Sequence, residues 1–160
     1  MSTASLSSRR VVHYASLDEF QADAERLTTM KHRTVGQWTY PQILDHLTRT
    51  IVASIDGFGF QAPWVARKLI APFLKNSFLT KPMQAGFRLP VQAASILPGA
   101  DLSLPAAIES LQSALARFAI EPQRAEHPFL GKLASQESTA LHLRHAELHM
   151  SFVVPAEGAA

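Results

Sequence analysis

The sequence predicts an all-α four-helix bundle with a basic, proline-interrupted insertion between its second helix and the later ones. Two capping boxes each precede apolar residues at helical spacing. No stretch alternates convincingly with period two, and no Asn-Gly hairpin signal occurs. The 160 residues, 47% apolar and 18% charged, have the composition of one globular domain of ordinary size. A chain this long hides about two-thirds of its unfolded surface. Residues 1–160 therefore read as one domain, with an ordered core from about 10 to 154 and tails at 1–9 and 156–160.

The first helix follows Ser16-Leu17-Asp18-Glu19, where the serine hydroxyl and the Glu19 side chain can satisfy each other's backbone amides. Leu17, Phe20, Ala24 and Leu27 share its apolar face, and it should run to about Thr29, before the polar loop KHRTVGQ. The second follows Thr39-Tyr40-Pro41-Gln42, with proline in the first turn where no amide partner is lost. Ile43, Leu47, Thr50, Ile51, Ser54 and Phe58 recur along it, and it should end near Gly57. Trp64–Ile70 and Phe73–Leu79 read as helical turns interrupted by Pro72, and 81–98 as mostly loop. Asp101 or Ser103 can cap a further helix with Leu104, Ile108, Leu111, Leu115 and Phe118 on its apolar face and Pro122 as its stop. After the loop HPFLGKL, Ser135 should cap a final helix reaching about Val153, before Pro155.

Composition also limits function. The absence of cysteine excludes disulfides, thiolate metal sites and a protein-borne thiol nucleophile, and fits a cytoplasmic protein. MSTASLSSRR is not followed by the apolar run of a secretory signal, and no window offers the ~20 apolar residues of a membrane span. The net charge of +2 conceals an uneven layout. Residues 57–100 carry Arg67, Lys68, Lys75, Lys81 and Arg88 and no acid. No helix-turn-helix or RNA-binding signature accompanies that charge, so nucleic acid is not the expected partner.

Chemistry concentrates in LHLRHAELHM, residues 141–150, which hold three of the seven histidines. Residues four apart on a helix share a face about 6 Å apart along the axis. His145 and His149 satisfy this, and their imidazoles can reach one divalent ion at ~2.0–2.1 Å. His142 lies on the same side, but seven residues from His149 is about 10.5 Å of rise, too far for one ion to take both. The pair is either 142 with 145 or 145 with 149. Leu141, His145, Leu148, His149 and Phe152 form one stripe facing the expected core. A third ligand must come from a facing helix, and His46 shares the face of Ile43 and Thr50. Three histidines with an open position are the ligand set of a catalytic metal site. Against this stands the plainer alternative, that histidines on apolar faces are hydrogen-bonded core residues. HAELH is not H-E-x-x-H: Glu147 lies some 200° around the helix from each neighbouring histidine and should face solvent.

Further residues have ordinary explanations. Gln42, one turn before His46, can reach the site as a ligand or a supporting group, though its capping role already accounts for it. Asp45 reads as a surface acid and Trp38 as packing at the helix entry, while His13, His32 and His127 carry no site signal.

GQWTYPQILDHL (36–47) followed far downstream by HLRHAELHMSF (142–152) resembles the DinB-like superfamily of metal-dependent proteins. SLDEFQADAERL, the DGF after the second helix, PWVARKL and LHLRHAELH are similar to one domain-of-unknown-function branch of that superfamily. The resemblance covers about residues 10–154. It implies a bacterial-type four-helix bundle whose metal is held by one histidine of the second helix and two, four apart, of the last. Carried over by position these are His46, His145 and His149, with His142 outside the pattern. Better understood relatives often continue the last histidine with Arg-Gly-Gln, where this chain has Met150-Ser151-Phe152.

What the resemblance implies is a three-histidine site for a divalent ion, zinc or nickel first, serving a transferase or hydrolase that acts on a small molecule. A low-molecular-weight thiol is the implied co-substrate, and water or thiol at the open position the implied nucleophile. The basic segment suggests an anionic substrate, with Arg67, Lys68 and Arg88 as binding residues; packing of its apolar residues with solvated cations explains the segment more simply. The competing functions are a non-catalytic metal- or ligand-binding bundle, and a protein that meets a membrane or a partner through residues 64–88. A homodimer is compatible with each.

Overall fold

The computed structural model describes residues 9–156 and is mostly helical, with one two-stranded antiparallel ribbon. Four helices form the bundle: α1 (Leu17–Thr28), α2 (Tyr40–Asp56), α4 (Leu104–Ile120) and α5 (Ser135–Met150). Helix α2 packs on both α4 and α5, and α1 closes the other side against the same two. A shorter helix, α3 (Ala71–Thr80), lies against α5 outside this core.

The capping signals act as expected at the first two helices. Ser16 Oγ accepts from Glu19 N, and Thr39 and Gln42 form a reciprocal box around the start of α2. Phe20, Ala24 and Leu27 of α1 meet Ile43, Leu47 and Ile51 of α2 and Leu111, Leu115 and Phe118 of α4 in one core. Each large apolar side chain buried there contributes roughly 1.5–3 kcal/mol. Tyr40 is buried among them because its hydroxyl donates to Ala24 O at 2.6 Å. Ser103 caps α4.

The insertion begins with a π turn. Over Ala66–Ile70 the backbone takes an extra residue, so that Ala71 N donates to Ala66 O, and α3 then starts with Pro72 in its first turn. A widened turn relieves the clash between a proline ring and the carbonyl four residues earlier, so the proline re-registers the helix instead of ending it. Only Ala71 of α3 is buried, against Leu130 and Leu141.

The structure departs from expectation in four places. First, the loop after α1 contains β1 (His32–Thr34), which pairs antiparallel with β2 (Val153–Pro155). Three residues are too few for an alternating pattern to register. For the same reason α5 stops at Met150, short of Val153. Second, Ala134 occupies the cap position of α5; its amide donates to Glu137 Oε2 at 2.8 Å, and Ser135 lies inside the helix. Third, the segment read as loop holds a 3-10 helix, Val91–Ile96, which buries Ala93 and Ile96. Fourth, Glu147 is buried rather than solvated. Its Oε1 accepts from Tyr14 N at 2.8 Å and from Arg144 Nη2 at 2.5 Å. The segment before α1 thus lies along α5 and satisfies the carboxylate.

Further contacts hold that segment. Asp23 accepts from Arg10, Tyr14 and Arg26. Burial raises the Asp23 carboxyl, but these hydrogen bonds outweigh it and hold the group below its ordinary range. The expected tails lie mostly outside the described residues. Of their described members, Arg9 sits over the Phe152 ring at 4.7 Å and Ala156 N donates to Lys31 O.

Removing one partner of a buried charge pair typically costs about 3–5 kcal/mol, because the other is left uncompensated. Glu147→Ala should lower unfolding free energy by that order in urea denaturation. A loss no larger than that of a surface substitution would show that the carboxylate does not hold the amino-terminal segment.

Candidate metal centre

The centre lies between α2 and α5. The capping box at Thr39 fixes where α2 begins, which places His46 two turns in on the buried face, 2% exposed. On α5, His145 and His149 occupy successive turns facing α2 and are half-buried. The three rings lie edge to face, with centroids 4.9 Å apart for His46–His145 and 4.7 Å for each pair with His149. One ring nitrogen from each lies within 4.8 Å of the others, close enough to share an ion.

Hydrogen bonds define which nitrogens face inward. His46 Nδ1 is 2.6 Å from the carbonyl of Ile96. A carbonyl only accepts, so Nδ1 carries the proton and Nε2 presents a lone pair. The Thr50 hydroxyl donates to Leu47 O at 2.9 Å, and its oxygen lies 3.4 Å from His145 Nδ1, too long a contact to fix that ring's tautomer. The two Nε2 atoms meet at 3.1 Å; because His46 Nε2 can only accept, His145 Nε2–H donates to it when no metal is bound. A cation that displaces this proton would take a lone pair from each ring. A tetrahedral ion with bonds of ~2.0–2.1 Å sets its ligand atoms roughly 3.3 Å apart, close to this spacing.

The electrostatics favour neutral ligands. Burial lowers the pKa of His46, His145 and His149, and the neighbouring imidazoles lower those of His145 and His149 further. His149 falls to about 3. The rings are therefore neutral near pH 7, the form that ligates metal. Trp38 covers one side of the cluster: its ring stacks on His149 with an interplanar angle of 14° and lies 4.9 Å from His46.

Of the residues picked from sequence, His46, His145 and His149 come together. His142 does not join them. Its Nε2 bonds to Ser54 Oγ at 2.9 Å and its ring packs edge-on against Phe118, which makes it a satisfied core histidine. Gln42 is also elsewhere: its side chain caps α2 and reaches Gly99 O at 3.4 Å. Arg67 turns to Gln61 and Glu126. Lys68 and Arg88 are exposed, and no described contact joins them to the histidines.

Other contributors went unread. Asp45 Oδ2 accepts from Gly99 N and from Arg49, and Arg49 reaches Ser95 O; with Gln42 they fasten the 3-10 segment to α2, which sets the Ile96 carbonyl against His46. Thr50 was visible as the residue four after His46. Trp38 was visible in GQW but carries no spacing rule. A backbone carbonyl fifty residues away has no signature at all.

The family model for DUF1569, a protein of unknown function, matches residues 6–156. The chain belongs to the DUF1569 family. No curated protein and no solved structure matches the chain. The DUF1569 match spans α2 and α5, and so includes all three histidines of the cluster.

Two histidines outside the cluster also stay neutral when this DUF1569 chain is folded. Burial lowers His142 to about 3 and His127 to about 4, from 6.5. Below about 6.5 the unfolded chain takes up protons that the folded chain refuses, so their contribution is full above that pH and declines as pH falls toward the folded values. In metal-free protein the urea midpoint should fall steadily from pH 6.5 to 4, and His142→Gln should flatten that slope. A midpoint independent of pH over this range would contradict the assignment of His142 as a buried neutral ring.

Proposed function

We propose that His46, His145 and His149 hold one divalent metal ion, zinc or nickel, in a small-molecule enzyme of the transferase or hydrolase class that uses a low-molecular-weight thiol. The observation that carries the reading is the convergence of three imidazole nitrogens within 4.8 Å of one another, two of them 3.1 Å apart. A divalent ion would displace the proton that the close pair shares and draw on all three rings.

When bound, the ion supplies a Lewis acid with a position open to a ligand. The chain's own residues define the surroundings. The Ile96 carbonyl orients His46 and keeps its Nε2 basic, the usual supporting arrangement at histidine metal sites, and the Thr50 oxygen lies beside His145 Nδ1 to play the same part once a metal takes Nε2. Trp38 shields the His46–His149 side. Half-burial of His145 and His149 leaves the cluster open to a small molecule. With no cysteine in the chain, an incoming thiol meets no protein thiolate competing for the ion.

Kinship with the DinB-like superfamily accords with this reading. A four-helix bundle, one histidine from the second helix and two at spacing four from the last are the features that the resemblance implies, and this DUF1569 chain combines them. A non-catalytic metal binder would share every one of these features and differ only in turnover.

Untagged protein should bind about one equivalent of zinc or nickel in elemental analysis and calorimetry, and His46→Ala and His149→Ala should each abolish it. At a hundredfold excess over Kd, binding should stabilise the fold by about 2.7 kcal/mol, seen as a rise in Tm that the variants lack. Failure of the wild-type protein to bind either metal sinks the proposal. If metal binds, thiol-dependent turnover of small electrophiles separates the enzyme from the binder.

A further inference from the structure

Helix α3 and the π turn before it present the wrong side to solvent for a helix of a monomeric bundle. An amphipathic helix ordinarily buries its apolar stripe. Here Ala71 faces inward, while Leu69 is 58% exposed and Phe73, on the side opposite Ala71, is 84% exposed. Trp64, Val65, Ile70 and Leu74 extend the patch along the same segment, and Phe87 adds a further exposed ring at 82%. Single exposed apolar residues are ordinary; six of them within residues 64–74, two with aromatic rings, mark a surface that meets something.

Charge identifies what it meets. Residues 57–100 contain five cations and no acid. Arg67 and Lys75 are paired with Glu126 and Glu137 of neighbouring elements. Lys68, Lys81 and Arg88 remain exposed, with no ion pair among the described residues. A second copy docked on this face about a two-fold axis would set cations against cations, with no acid of the segment to answer them. An anionic lipid surface answers both features: lysines and arginine meet headgroups while tryptophan, phenylalanine and leucine enter the acyl boundary. No described helix is long and apolar enough to cross a membrane, so the contact is lateral.

We propose that residues 64–88 dock this protein, through the outer face of α3 and its flanks, onto an anionic membrane surface. The inference is independent of the metal centre.

The test is co-sedimentation of the full chain with vesicles of phosphatidylcholine alone and with about one-third phosphatidylserine. Wild type should pellet with the anionic vesicles at low salt, much less with neutral ones, and dissociate as salt is raised. Phe73→Glu with Leu69→Glu should reduce the partition coefficient more than tenfold, and each of Lys68→Glu, Lys81→Glu and Arg88→Glu by about fivefold or more. Because these side chains are exposed, circular dichroism and Tm should stay unchanged, which separates lost docking from lost folding. Absence of binding at low salt overturns the proposal, as does binding that survives all of the substitutions. So does a concentration-dependent dimer in sedimentation velocity that Phe73→Glu abolishes in a protein indifferent to lipid, since the patch would then belong to a second copy.

Discussion

The meeting of His46 Nε2 and His145 Nε2 at 3.1 Å is the constraint around which the histidine cluster is built. A main-chain carbonyl holds the His46 proton on Nδ1, so its Nε2 must accept, and the neutral pair meets through the one proton on His145 Nε2. Burial lowers the affinity of both rings for a further proton. The pocket thus combines low proton affinity with convergent donor atoms, which is the combination that favours a multivalent cation.

The bundle supplies rigidity to the same end. Two of the three rings ride on α5, and α5 is held on several sides. Its inner residues Leu143, Ala146 and Met150 enter the core. Glu147, which points away from the rings, is joined to the segment preceding α1. The chain after it closes a ribbon with β1. A metal site needs its ligands held within a fraction of an ångström, and a helix clamped on opposite sides can do this better than a loop. The third ring rides on α2, whose start is set by a reciprocal cap.

Much of this was legible in the residues. The caps at Ser16 and Thr39 and the 3.6-residue recurrence in 43–54 and 104–118 follow from local physics that a linear string records. The spacing of His145 and His149 is legible for the same reason. What escaped is non-local or too short. The β1–β2 ribbon is three residues a side, below the length at which alternation can be seen. Glu147 looks like a surface acid until the amide of Tyr14 arrives from 133 residues away. His142 and His145 differ little in sequence setting, and only their neighbours, Ser54 and Phe118 for one and His46 for the other, divide a core residue from a cluster member. The stripe of Leu141, His145, Leu148 and His149 misjudged the helix in one respect: the most buried line runs through Leu143, Ala146 and Met150, so the two cluster histidines border the core instead of filling it.

The partner of His46 Nδ1 is the peptide oxygen of Ile96, not a side chain. Nearly any amino acid at 96 would still offer that oxygen, so point changes there leave the imidazole's orientation intact provided the short helix keeps its seat. What the arrangement cannot absorb is a change in chain length between Phe58 and Gly99, where one inserted or deleted residue would slide a different oxygen, or an amide hydrogen, into place. Divergence in this stretch should therefore be strict in spacing and, away from the buried apolar seats at 93 and 96, free in lettering.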